Sequence, residues 1–294
     1  MDIIDQLSAG LADRIAKAAA ITVGVQGAKS PSSGILWRPD VVIASEQLLG
    51  DETALRVVVG DRHIDATLAG RDTGTNVAVL KLSSPLAETT LVPAAEPRVG
   101  SLVLVAGRDA AGGPSGRLAM IHAIGGAWHS MAGGRIDALI QLDCRLGIDE
   151  GGPVVSLDGS LLGMSTSGPR RRSIVIPTAT LARVIDPLLA DGRIARGWLG
   201  VGLQPVMIPD GFRQAAGRDS GLMVVSLAAA APAEAAGVLP GDIVLDIDGT
   251  PVSRPRALAV LLGPDRIGQA VALRVLRAGA VQSLGVTVSA RPAE

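Results

Sequence analysis

Gly147-Ile148-Asp149-Glu150-Gly151-Gly152-Pro153 stands between two apolar runs, Ala138–Leu142 and Val154–Leu157. Short runs of this kind bounded by glycine and proline read as β-strands. A Gly-Gly-Pro corner bends the backbone sharply, because glycine reaches positive φ without steric cost and proline has no N–H to give a ladder. Such a corner leaves the residue ahead of it, Glu150, exposed on a tight turn. The corner makes this a β protein, and the acid at its tip is the residue on which the functional reading turns.

The same grammar continues on both sides. Upstream lie the strand-like runs Ile21–Val25, Gly34–Trp37, Val41–Ala44, Ala54–Val59, His63–Ala69, Val77–Leu82 and Leu102–Ala106. Around the corner lie Leu118–Ile124, Ala138–Leu142, Val154–Ser156, Leu161–Ser165 and Ser173–Ile176. Short strands at regular spacing predict barrels or sandwiches. The Gly/Ala/Pro stretch Gly107–Gly116 is the expected division, giving lobes of about 21–107 and 116–177. An N-terminal helix over residues 1–20 follows from Ile4, Leu7, Leu11, Ile15 and Ala18 at spacings of three and four. A second helix begins after Pro177, with Thr178 or Thr180 as cap and Leu181, Val184, Ile185 and Leu188 on one face. A third unit, 195–294, places strands at Leu222–Ser226, Ile243–Ile247 and Val271–Val275, with helical pieces near Ala233–Ala236 and Pro255–Leu262.

The bulk numbers agree with a folded, mainly β chain. There are 294 residues, 48% of them hydrophobic, 19% charged and 1% aromatic. The core must be aliphatic. A net charge of −1, with no basic stripe interleaved with aromatics, argues against nucleic acid. No apolar run is long enough to span a membrane. Cys144 is the single cysteine, so an intrachain disulfide is impossible. Residues 1–7 lack the basic and apolar regions of a leader, which predicts a cytoplasmic protein if Met1 is the native start and a periplasmic one if a longer precursor was trimmed. Asp143, Asp149 and Glu150 are the acids nearest a cation cluster, but neighbouring side chains point apart, and neither metal nor cofactor is expected.

The run Pro232–Val252, with Ala236-Gly237, Gly241-Asp242 and Asp248-Gly249, closely resembles the bacterial PDZ pattern. Arg196-Gly197-Trp198-Leu199-Gly200-Val201 resembles the segment joining protease to PDZ domain in the HtrA (high-temperature-requirement A) family, and Gly147–Pro153 sits where that family has its nucleophile turn. The resemblance covers roughly residues 20–290. It implies a trypsin-like double six-stranded β-barrel, 21–194, followed by an α+β PDZ domain. It also implies a homo-oligomer, trimeric as in the family.

The same resemblance marks three catalytic positions. Gln47 stands where the family has its histidine base, Asn76 where it has the aspartate, and Glu150 where it has the serine. An amide takes no proton near neutral pH, so general-base catalysis is lost. Ile148 replaces a glycine two before the nucleophile, which puts the oxyanion hole in question. A Gln47–Glu150 hydrogen bond is expected in place of the His–Ser pair. Cys144 is a poor substitute nucleophile, lying six residues before Glu150 with no histidine near it in sequence.

The implied working site is the PDZ groove. There Trp198, Leu199, Gly200 and Val201 would take a terminal carboxylate through backbone N–H groups, against a helix carrying Leu258, Leu261 and Leu262. The expectation is a pseudoprotease that binds peptide or protein C-termini as scaffold or regulator, with an active HtrA relative as a candidate partner. The alternatives are an endopeptidase with displaced catalytic residues and a structural oligomer subunit.

Overall fold

The computed structural model describes residues 2–27, 31–51, 53–86, 90–109 and 111–292. The chain forms two compact units, 1–194 and 195–294. The fold is mainly β.

The first unit opens with α1 (Ile3–Ala18). Six strands follow: β1 (Thr22–Gln26), β2 (Ser32–Arg38), β3 (Val41–Ser45), β4 (Ala54–Val59), β5 (Arg62–Asp72) and β6 (Val77–Leu82). They close into an antiparallel barrel in the order β1-β2-β3-β6-β5-β4. Next come β7 (Leu102–Arg108), β8 (Pro114–Gly125), β9 (Trp128–His129), β10 (Arg135–Ile136), β11 (Leu139–Leu142), β12 (Pro153–Ser156), β13 (Leu161–Ser167) and β14 (Ser173–Pro177). β9 and β10 pair with each other, and the rest close a second barrel in the order β11-β14-β13-β12-β7-β8.

The division expected at Gly107–Gly116 is corrected by this pairing. β7 runs Leu102↔Met120 to Arg108↔Pro114 against β8 and also pairs β12, so it belongs to the second barrel. The glycine-rich stretch is a tight turn inside a hairpin: Asp109 Oδ1 accepts the N–H groups of Ala111 and Gly113, and Gly112 has φ +83°. The barrels divide instead between Leu82 and Leu102.

Each barrel is filled by its own aliphatic cluster, Val57, Ala78 and Leu80 in the first and Val105, Ile121 and Ile140 in the second. A third cluster joins Ile35 and Ile43 of the first barrel to Leu104, Val155 and Ile176 of the second. α2 (Thr178–Asp191) seals it with Leu181, Val184, Ile185 and Leu188, the face its spacing predicts. Burying each such side chain is worth about 1.5–3 kcal/mol. Neither threonine caps the helix: Thr178 Oγ1 donates to the Leu161 and Leu162 carbonyls, and Thr180 Oγ1 bonds Asp137. At the other end Gly192 closes α2 in the left-handed conformation.

Leu11 and Ile15 of α1 also pack on this cluster, while Ile3, Ile4 and Leu7 stay exposed. Buried Arg108 fixes the end of the N-terminal segment, donating to the carbonyls of Ala19, Thr22 and Gly112. Burial pulls its pKa down.

The second unit contains β15 (Gly197–Trp198), β16 (Val201–Met207), α3 (Asp210–Ala216), β17 (Ser220–Leu227), α4 (Pro232–Ala235), β18 (Ile243–Ile247), β19 (Thr250–Pro251), α5 (Pro255–Leu261), β20 (Ala270–Arg277), β21 (Ala280–Thr287) and β22 (Ser289–Ala290). The sheet order is β16-β17-β18-β20-β21, with β19 on β18 and a separate β15–β22 pair. Gly237 takes φ +80° after α4. Asp248 (φ 47°) and Gly249 (φ 76°) make the two-residue hairpin between β18 and β19. α3, β21 and the short strands β15, β19 and β22 are elements that the sequence pattern did not announce. Among the described residues, no helix is long and apolar enough to cross a membrane.

Candidate functional site

The Gly147–Pro153 corner lies in the seam between the two barrels. A Cβ on Gly151 (φ +87°) would meet the Ser33 carbonyl at 2.3 Å, and one on Gly152 would meet the Ala106 carbonyl at 2.1 Å. Both glycines are therefore required by close approach. Ser33 of β2 holds the corner from the first barrel, its N–H donating to Glu150 O (3.0 Å) and its hydroxyl to Ile148 O (2.7 Å). From the second barrel, Ser165 Oγ donates to Asp149 O at 2.8 Å.

The fold brings Gln47, Asn76 and Glu150 together. Gln47 lies on the turn Glu46–Leu48 after β3. Its Nε2 donates to Glu150 Oε1 at 2.5 Å, the contact expected from the sequence. The same nitrogen reaches Thr166 Oγ1 and Ser167 O, both at 3.2 Å. Asn76 has φ 57°, a left-handed conformation that asparagine tolerates. Asp72 shapes its loop by accepting the N–H groups of Gly74 and Thr75. Asn76 Oδ1 accepts the Gln47 N–H at 2.8 Å, while its Nδ2 donates to Ser45 Oγ (3.0 Å) and Thr166 Oγ1 (2.6 Å).

Glu150 is buried, 7% exposed, and this corrects the exposed tip expected from its turn. The reason is a closed set of donors. Besides Gln47, Ser167 gives its N–H to Oε1 (3.0 Å) and its hydroxyl to Oε2 (2.6 Å). Buried carboxylates persist where donors surround them. Thr166 and Ser167, at the end of β13, are the residues that sequence reasoning missed. No spacing rule marks them, since their role depends on which strand the corner meets.

The backbone of the corner is also engaged. Glu150 N–H donates to Gly147 O at 3.0 Å, closing a turn over Gly147–Glu150. An N–H used in this way is not aimed at a substrate oxygen. Asp149, 1% exposed, receives both of its oxygens' contacts from Arg117 Nε at 2.9 Å and one oxygen also accepts Gly147 N–H at 3.0 Å. Asp143 instead accepts the Met120 N–H. The three acids do not converge, and among the described residues no cluster is arranged to hold a metal ion.

The other candidate groups lie elsewhere. His63 and His122 are exposed on β5 and β8, and among the described residues no histidine is a partner in these hydrogen bonds of Gln47, Asn76 and Glu150. The half-buried Cys144 thiol has its pKa raised, first by burial and then by the Asp149 carboxylate. A thiol pushed upward carries little thiolate at neutral pH and is a weak nucleophile.

In the second unit, Trp198 belongs to β15, Leu199 is buried, Gly200 has φ +77° and Val201 opens β16. A Cβ on Gly200 would meet the Ala231 side chain at 2.1 Å, so this loop needs its glycine. Leu199, Leu258 and Leu262 are buried in one cluster, against which Val201, Leu203 and Leu261 pack partly exposed. Among the described residues, no acceptor accompanies the N–H groups of Leu199 and Gly200.

Residues 32–164 match the trypsin-like peptidase domain, and residues 197–288 match the PDZ domain. The "HtrA-type protease AlgW with tripeptide" superposes with a TM-score of 0.69 at 26% identity, covering 96% of this chain and 98% of that one. The chain is an HtrA-type, trypsin-fold protein with a PDZ domain. The serine endoprotease from Yersinia pestis shares the fold with a TM-score of 0.70 at 22% identity, covering 96% of this chain and 98% of that one. Among curated HtrA relatives, the "Probable periplasmic serine endoprotease DegP-like" of Brucella suis biovar 1 (strain 1330) is 30% identical over 272 residues, 89% of this chain and 52% of its own length. The protein of the same description from Halomonas elongata is 31% identical over 288 residues, 90% of this chain and 57% of its own. This HtrA-type chain thus spans about half the length of the curated relatives it matches.

Proposed function

We propose that this HtrA-type chain is a pseudoprotease: its barrels form a scaffold that does not hydrolyse peptides, and its PDZ domain binds peptide C-termini. The observation that carries the reading is the Gln47–Glu150 hydrogen bond at the three converged positions. Peptide hydrolysis on this fold needs a nucleophile, a base to take its proton and a group to orient the base. Gln47 acts here as a donor, Asn76 Oδ1 already holds the Gln47 N–H, and Glu150 is enclosed by Ser167. A carboxylate is a poor nucleophile toward amides, and its acyl product would be an unstable anhydride. The name "serine endoprotease" belongs to the relatives, as does their periplasmic location, and we take the periplasm as the compartment for this chain as well.

Two measurements test the proposal. Labelled casein should remain undigested by the wild-type chain, and cleavage abolished by Glu150→Ala would overturn the pseudoprotease reading. Free-carboxylate peptides should bind more tightly than their amidated versions, and equal affinity would overturn carboxylate capture. A second reading, a structural oligomer subunit, is favoured by Ile3, Ile4 and Leu7, which are 77%, 68% and 61% exposed on α1. Mass by light scattering that falls on Ile4→Asp/Leu7→Asp would support it.

A further inference from the structure

β16 is one edge of the PDZ sheet, the first strand in the sheet order and the one that follows the Trp198–Val201 loop. Gly200 O accepts the Ala228 N–H at 2.8 Å and Ile208 N–H donates to Asp219 O at 2.8 Å, so at both ends of β16 the even-numbered residues hold the bonds to the β17 side. Backbone groups alternate sides along a strand. Residues 202, 204 and 206 therefore also address β17, in register with Ser226, Met223 and Gly221. Val201, Leu203 and Pro205 present their backbone to the open edge. The irregularity between Gly202 and Leu203 leaves this alternation intact, because the extra residue, Val225, is on β17. Pro205 fits the outward position for a plain reason: it has no N–H to give, and an edge is where a strand tolerates that loss.

From this alternation we infer that Pro205 limits recognition to the last three or four residues of a bound C-terminus. The inference rests on the reading of the PDZ unit as a carboxylate-binding groove. A peptide adding antiparallel to β16 places its carboxylate at the Leu199–Val201 N–H groups and its terminal N–H on Val201 O. Its third residue from the end then exchanges both hydrogen bonds with Leu203. The fifth residue from the end falls opposite Pro205. Its N–H faces the Pro205 carbonyl, but its own carbonyl is set against a pyrrolidine ring with no donor, and that loss offsets the one bond gained. Strand addition stops being reciprocal there, and residues further upstream leave the edge. Val201 and Leu203 pack with Leu258, Leu261 and Leu262, so the side chains read within those few residues are apolar. The ligand class is a short apolar tail with a free carboxylate.

Calorimetric titration of the full chain with nested peptides of three to eight residues, all ending in valine, tests this. Affinity for the wild-type chain is expected to rise to four residues and then stay level. Pro205→Ala restores one edge donor. It should add a step of about 2- to 12-fold at the fifth residue, the range of one neutral hydrogen bond. Pro205 is exposed at the sheet edge, so the variant keeps the core intact, and the wild-type length series stands as a test without it. A fifth-residue gain in the wild-type chain equal to that in the variant overturns the length limit and leaves carboxylate capture standing. Equal binding of the amidated series, or binding of none of the peptides, overturns the groove reading and the limit together.

Discussion

Removing the Gln47 side chain should destabilise the barrel unit through Glu150, and the size of the effect follows from the contacts. Among the described residues, the Glu150 carboxylate accepts three hydrogen bonds, one from Gln47 Nε2 and two from Ser167. A hydrogen bond to a charged group is worth about 1.5–3 kcal/mol when buried. Gln47→Ala leaves a carboxylate at 7% exposure with Ser167 alone. For a unit of this size, each kcal/mol lowers the melting temperature by about 2–4 °C, so a fall of roughly 3–12 °C is expected. Glu150→Ala and the double variant complete a thermodynamic cycle. If Gln47 and Glu150 act on each other, their coupling should fall within about 1.5–3 kcal/mol. Denaturant unfolding followed by near-ultraviolet circular dichroism measures it. Coupling below about 0.5 kcal/mol, the level of independent sites, would refute the claim that this bond holds the carboxylate in place.

Three further outcomes follow. Restoring the triad residues, Gln47→His with Asn76→Asp and Glu150→Ser, should leave casein digestion at least about 100-fold below the same protein with Ile148→Gly added, because the Glu150 N–H already serves Gly147 and one missing oxyanion donor costs about 10²–10³ in kcat; equal rates for the two would contradict this. Asp158 has its pKa lowered to about 2, first by the Ser156 hydroxyl and then by the Ser160 N–H. A depressed folded pKa adds stability above the unfolded value and loses it as pH falls through about 2, so wild type and Asp158→Asn should differ modestly near pH 6 and converge toward pH 2 in acid titrations of unfolding. Cys144 should react with a disulfide reagent at pH 7.5 more slowly than a free thiol such as glutathione, and labelling as fast as glutathione would contradict its raised pKa.

What the sequence made legible is what short-range pattern controls. The α2 face of Leu181, Val184, Ile185 and Leu188 and the Asp248-Gly249 hairpin are fixed by residues a few positions apart. The gathering of Gln47, Asn76 and Glu150, which lie far apart in sequence, became legible only because the resemblance supplied the fold. What stayed hidden depends on pairing over distance. Leu102–Arg108 looks like the last strand of one barrel and is the first of the next, because its partners lie downstream. Glu150 looked exposed because Ser167, 17 positions away, is invisible to turn rules. The outward backbone of Pro205 needed the register with β17. Small polar residues carry no periodic signal, so their roles emerge only when strands are set side by side.

Gly151 and Gly152 touch the carbonyls of opposite barrels, Ser33 on one side and Ala106 on the other. In a signature of this kind the glycines are dictated by clearance and the residue before them by chemistry. The two can come apart without any sign in the glycines: the side chain at 150 can be exchanged and the spelling of the corner still fits. A pattern search keyed to Gly-Gly-Pro is therefore detecting a masonry joint, and whether anything is cut there is written at a different letter.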